Sequence, residues 1–155
     1  MGRISWERRV LTHLEGVYCV ELLHTREGLK IAAASEIHGG WCKVVDFATC
    51  REEVVWTGPG GCMNISQLNE AGDLIGIQNF YKGFQSEKAQ LVRACRKDGT
   101  WETEVLQVLP YLHRSGVVHT AEGAYVVAST LCTHRESAED WSHPGKIQAA
   151  KVPGA

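Results

Sequence analysis

At 155 residues, with 44% hydrophobic and 22% charged side chains, the chain carries enough apolar material for a folded core. A formal net charge of −2 gives no drive toward nucleic acid or an anionic membrane. No run approaches the ~18 apolar residues of a membrane span.

Residues Met1 to Arg9 lack the apolar stretch of a secretory signal. The six cysteines, Cys19, Cys42, Cys50, Cys62, Cys95 and Cys132, include no C-x-x-C pair. The expectation is therefore a cytoplasmic protein with reduced thiols and no structural zinc.

Internal repetition organises the sequence. Moving residues 6–35 forward by 95 positions places Trp6-Glu7 on Trp101-Glu102, Val10-Leu11 on Val105-Leu106, His24-Thr25 on His119-Thr120 and Glu27-Gly28 on Glu122-Gly123; ten of thirty positions are identical. An offset of 45 brings Val10 onto Val55, Gly16 onto Gly61, Val20 onto Ile65, Leu23 onto Leu68 and Leu29 onto Leu74. The repeat units run over 5–50, 51–99 and 100–155. Their period is that of propeller blades, and no long 3.6-residue periodicity speaks for helical repeats.

In chain order, the first unit predicts strands over 8–11, 17–23, 29–35 and 42–47, with a turn at Thr25-Arg26-Glu27-Gly28. The second predicts strands over 53–56, 62–68, 74–80 and 89–95, with turns at Glu70-Ala71-Gly72-Asp73 and Arg96-Lys97-Asp98-Gly99. The third predicts strands over 104–107, 112–118, 124–130 and 146–151, with a turn at Thr120-Ala121-Glu122-Gly123. Glycine in these turns permits the positive φ of tight hairpins.

Ile31-Ala32-Ala33-Ala34 and Val126-Val127-Ala128-Ser129 are suited to burial on both faces, as in a strand between neighbouring sheets. Arg93, Arg96 and Lys97 are expected on a solvated strand edge. The predicted fold is all-β: a β-propeller-like array of three four-stranded antiparallel blades in one structural domain. A β-sandwich of the same strands explains the alternation but not the repeat. Three blades do not close a ring. Self-association, for instance two chains supplying six blades, or membership of a longer propeller is therefore expected.

Loops at one end of such an array should carry the site. The segments leading into the innermost strands are His13-Leu14-Glu15-Gly16, Gly58-Pro59-Gly60-Gly61 and Pro110-Tyr111-Leu112-His113. The matching loops are 36–40, 81–88 and 131–145. Gly58-Pro59-Gly60-Gly61 lacks the Gly-Lys-Ser/Thr end of a phosphate-gripping loop and is a tight turn.

Departures from the repeat mark the candidates. His113-Arg114 stands where the other units have Tyr18-Cys19 and Met63-Asn64. His113 suits acid/base or metal-ligand work, and Arg114 suits a carboxylate or phosphate; inter-sheet hydrogen bonds are the structural alternative. Gln78-Asn79 replaces Ala33-Ala34 and Ala128-Ser129. With Asn64, these amides either orient a polar ligand or bond the adjacent sheet. Asp140-Trp141-Ser142-His143 offers a carboxylate, a stacking ring and an imidazole, or else pins its own loop. Glu36 and His38 in the first loop supply a carboxylate and an imidazole for an acid/base or metal site, and Gln85 in the second is a ligand-binding candidate. A divalent metal is considered on Glu36, His38 and His113, although no spacing motif supports it. His24 and His119, at one repeat position, are expected to be structural and at the opposite end. Trp6 and Trp101 are expected to pack on outer strands.

The phrases Thr57-Gly58-Pro59-Gly60-Gly61, Ile77-Gln78-Asn79-Phe80, Leu109-Pro110-Tyr111-Leu112-His113-Arg114 and Asp140-Trp141-Ser142-His143-Pro144-Gly145-Lys146 resemble those of uncharacterised bacterial β-propeller proteins. More remotely, the chain is similar to propeller domains of sugar-processing dehydratases and lyases. The resemblance implies a propeller fold but no assigned reaction. Two functions follow as expectations. One is a binding or scaffold propeller for a small carbohydrate-like molecule or a protein partner. The other is a metal-assisted lyase, isomerase or hydrolase, with His113 or His143 transferring a proton or holding a metal, Asp140 as a further catalytic group, Arg114 on an anionic group, and Asn64 and Gln78 orienting hydroxyls.

Overall fold

The computed structural model describes residues 6–81 and 86–154. Among them the regular structure is all β, with no helix. Eleven strands form three antiparallel sheets. The first sheet contains β1 (Val17–Thr25), β2 (Gly28–Ser35), β3 (Cys42–Asp46) and β4 (Glu52–Trp56). The second contains β5 (Ile65–Gln67), β6 (Leu74–Gln78), β7 (Gln90–Lys97) and β8 (Thr100–Val108). The third contains β9 (Leu112–Thr120), β10 (Gly123–Thr130) and β11 (Ile147–Lys151). In each sheet the strands are paired in chain order.

The repeat is visible in the backbone. Offsets of 45 and 95 relate Gly16, Gly61 and Tyr111, whose φ angles are +58°, +61° and +57°. Their carbonyls accept hydrogen bonds from the amides of Glu36, Phe80 and Leu131, respectively, at 2.9, 3.1 and 3.0 Å. A tyrosine in this left-handed region costs about 1–3 kcal/mol; burial of the Tyr111 ring, 2% exposed, opposes that cost.

The β9–β10 hairpin copies β1–β2 at an offset of 95. Thr25 pairs with Gly28 and Thr120 with Gly123, and the hydroxyl of each threonine donates to the glycine carbonyl, at 2.8 and 3.1 Å. Each hydroxyl also accepts from the amide two residues on, that of Glu27 or Glu122.

Two features differ from expectation. The predicted leading strands at 53–56 and 104–107 lie in β4 and β8, which pair with β3 and β7. They complete the preceding sheet, so each sheet boundary falls one strand later than the repeat boundary. Residues 8–11 form no strand. Among the described residues the third sheet has three strands, correcting the expectation of three four-stranded units.

Alternation along β6 explains how the sheets stack. Leu74 joins Ala94 and Ile65 in packing against Leu23, Ala32, Val44 and Trp56 of the first sheet. Ile75 and Ile77 point the other way, joining Leu91 against Leu112, Ala124, Val126 and Ala128 of the third. All five β6 residues are buried, as a strand covered on both faces requires. Gly76 allows the close approach, since a Cβ there would lie 3.1 Å from Trp56 Cη2.

The first strands β1, β5 and β9 lie side by side, and β4 lies beside β8. Trp101 Nε1 donates to Glu53 across this second seam, whereas its repeat counterpart Trp6 is 91% exposed. Arg93 is not a solvated edge residue: it bonds Asp73 at 3.0 Å and the Pro153 carbonyl at 3.2 Å. Among the described residues no helix is long and apolar enough to cross a membrane.

Candidate functional site

The register of β1 and β9 creates the site. In β1, Val17 pairs with Ser35 and Cys19 with Ala34, leaving Tyr18 in a bulge. In β9, Leu112 pairs with Thr130 and Arg114 with Ser129, leaving His113 in the equivalent bulge. A bulge removes one residue from the ladder and re-aims its side chain. Tyr18, His113 and their counterpart Met63 all line one cavity of about 460 Å³, together with Glu36, Ile37, His38, Phe80 and Tyr81.

Aromatic contacts shape its walls. The His38 ring stacks on Tyr81, with centroids 3.6 Å apart and planes inclined by 16°. His113 meets Phe80 edge-on at 5.1 Å. Tyr81 is held at several points: its hydroxyl donates to the Pro59 carbonyl at 2.8 Å and lies 3.3 Å from Asn79 Oδ1, while its amide and carbonyl both bond Ser86 Oγ. Burial raises the Tyr81 pKa, so the phenol remains protonated at neutral pH. Burial, and then the Arg114 cation, push the His113 pKa below its usual value. At neutral pH His113 is therefore chiefly a neutral imidazole with one donor and one acceptor nitrogen.

Several predicted candidates have structural partners. Asn64 Nδ2 donates to the Ser115 carbonyl at 2.8 Å and to Ser66 Oγ at 3.2 Å, joining the second and third sheets. Arg114 Nη1 donates to the Met63 carbonyl at 2.6 Å, and its guanidinium lies 5.9 Å from the Tyr18 ring centroid. Gln78 accepts from Gln90 within the second sheet at 3.1 Å. Asn79 occupies the left-handed region at φ +61°, and its amide donates to Gly60. Its side chain suits a turn, which ends β6 before the predicted residue 80. Gln85 lies outside the described residues.

The long third loop forms a separate cluster. Asp140 accepts hydrogen bonds from the Glu136 amide, the Ser142 amide and the Ser142 hydroxyl, at 3.0, 2.9 and 2.6 Å. These bonds hold its carboxyl well below the ordinary carboxylate range, which suits a loop anchor better than a proton donor. The Arg135 guanidinium covers Trp141 at 4.1 Å, and His134 meets His143 at 5.4 Å. Glu36, His38 and His113 share the cavity. Among the described residues, however, no group of three His, Cys, Asp or Glu side chains could hold a metal ion.

At the other end, His119 lines a cleft with Arg26, Gln67, Asn69 and Glu70, while the backbone of His24 bonds the Gln67 side chain in both directions. Of the residues lining the cavity, Glu36, His38 and His113 are candidates legible in the sequence, whereas Tyr18, Met63, Phe80 and Tyr81 are not. The signal for Tyr18 and Met63 was their repeat equivalence to His113. No protein-family model, curated protein or solved structure matches the chain.

Proposed function

We propose that this chain is a propeller-like binding module that holds a small, polar, ring-shaped molecule of the carbohydrate class where its three inner strands meet. The observation that carries this reading is the convergence of Tyr18, Met63 and His113, one residue from each repeat, on a single cavity. Radial stacking of repeated sheets would produce such a meeting of equivalent positions. The cavity volume of about 460 Å³ suits a small ligand.

Tyr18, Phe80 and the His38–Tyr81 stack supply apolar faces for the C–H surface of a sugar ring. Neutral His113 and Glu36 supply directional groups for hydroxyls. The six thiols are free, which suits a reducing compartment such as the cytoplasm. Val20 and Leu22 on the first sheet are 59% and 55% exposed, and Val118 and Ile147 on the third are 47% and 81% exposed. These apolar positions favour association with further sheets, from another copy or a longer array.

Calorimetric titration with a panel of mono- and disaccharides tests the reading. We expect a saccharide to bind, His113→Ala and Tyr81→Ala each to weaken binding by about tenfold or more, equivalent to ~1.4 kcal/mol, and Trp141→Ala to leave it unchanged. Failure of every saccharide to bind, or sensitivity to Trp141→Ala alone, would overturn it.

A further inference from the structure

Behind the cavity wall, two thiols face each other across the seam between the first and second sheets. Cys19 Sγ lies 3.6 Å from Cys62 Sγ. Cys19 follows the β1 bulge and is half-buried, whereas Cys62 is fully buried. The Cys62 amide donates to the Ser35 carbonyl at 3.0 Å, fixing this segment against the first sheet.

The two thiols have unequal chemistry. A hydrogen bond with Cys62, aided by the nearby Arg114 cation, lowers the Cys19 pKa; burial raises that of Cys62. The more accessible sulfur is therefore the one more readily ionised, and the buried sulfur keeps its proton. This is the division of roles between an attacking thiolate and a resolving thiol. Cys42 is wholly buried, and desolvation raises its pKa as well.

We propose that Cys19 and Cys62 form a hydroperoxide-responsive thiol pair that closes reversibly into a disulfide between the first two sheets. The Cys19 thiolate attacks the terminal oxygen of a hydroperoxide. The O–O bond breaks, an S–O bond forms, and the departing alkoxide takes a proton to leave as an alcohol. The Cys62 sulfur then attacks the Cys19 sulfenic acid. An S–S bond forms, the S–O bond breaks, and the Cys62 proton leaves with the hydroxyl as water. In total two thiols and one hydroperoxide give one disulfide, one alcohol and one water, with two electrons passing from sulfur to oxygen.

The sulfurs must close from 3.6 Å to the roughly 2.05 Å of a disulfide, a movement on the scale of local side-chain adjustment. Tyr18 and Met63, the chain neighbours of Cys19 and Cys62, line the cavity, so the bond would tie two of its walls together. The site does not depend on the identity of the ligand.

The test treats the folded full chain with tert-butyl hydroperoxide, then measures intact mass and maps peptides without reduction. We expect loss of two hydrogens, a Cys19–Cys62 cross-linked peptide, and restoration by dithiothreitol. Cys19→Ser should abolish the cross-link. Cys62→Ala should accumulate a sulfenic acid at Cys19 that dimedone traps, while Cys50→Ser and Cys95→Ser should behave as the parent. A circular dichroism spectrum matching the parent establishes that each variant is folded. If a variant is unfolded, the cross-link map of the parent decides. Failure of the parent to form the Cys19–Cys62 bond, or preferential cross-linking of another pair, would overturn the proposal.

Discussion

Replacing Gly76 with alanine examines the contact that lets the first two sheets pack. The added Cβ would sit 3.1 Å from Trp56 Cη2, 3.6 Å from Val92 Cγ2 and 3.7 Å from the Asn64 carbonyl oxygen. Only the first distance is tight, but Trp56 is 7% exposed and has little room to move. Lower backbone entropy in the unfolded chain favours Gly76→Ala by about 0.4–1 kcal/mol. Overpacking opposes it by about 1–3 kcal/mol. The expected net effect is destabilisation by about 1 kcal/mol.

Trp56→Phe removes the clashing ring and a buried indole N–H that has no hydrogen-bond partner among the described residues. Alone it should cost about 1–3 kcal/mol through lost packing. Combined with Gly76→Ala it should cost less than the sum of the two, with a coupling of about 0.5–1.5 kcal/mol. Urea unfolding of the four proteins, followed by circular dichroism, measures the cycle, provided that the m-value stays constant. Stabilisation by Gly76→Ala, or additivity within about 0.3 kcal/mol, would refute the packing argument.

Asn64→Ala should cost about 1–3 kcal/mol, because it leaves the Ser115 carbonyl without its 2.8 Å donor. Asn64→Asp should cost more at neutral pH, by setting a carboxylate against that carbonyl, and should recover in acid when the carboxyl can donate; equal urea midpoints for the two variants at pH 7 would contradict this. His113 should make stability rise with pH. Its folded pKa lies below the usual 6.5, so between the two values the unfolded chain binds more protons. Its contribution is fully present above about 6.5 and is lost as pH falls through the folded value. The difference in urea midpoint between the parent and His113→Gln, measured across this window, should shrink toward acid, and growth toward acid would contradict the burial argument.

By itself, the sequence determined the all-β character, most strand positions and the relation between distant segments. Hairpins need local signals, and Thr25-Arg26-Glu27-Gly28 and Thr120-Ala121-Glu122-Gly123 carry the same ones. Their hydrogen bonds are correspondingly alike. The repeat also identified His113 as a departure at a position shared with Tyr18 and Met63.

Sheet membership required tertiary structure. Residues 53–56 and 104–107 alternate as strands whichever neighbour they pair with, and only the register showed that they close the preceding sheet. The site divided in the same way. Composition could nominate Asp140, Trp141 and His143, but backbone and side-chain partners organise them into their own loop. Two bulges turn Tyr18 and His113 out of their ladders toward a common cavity, and sheet packing brings Cys19 to Cys62. Such meetings depend on strand register and the approach of separate sheets, which residues far apart in the chain decide jointly.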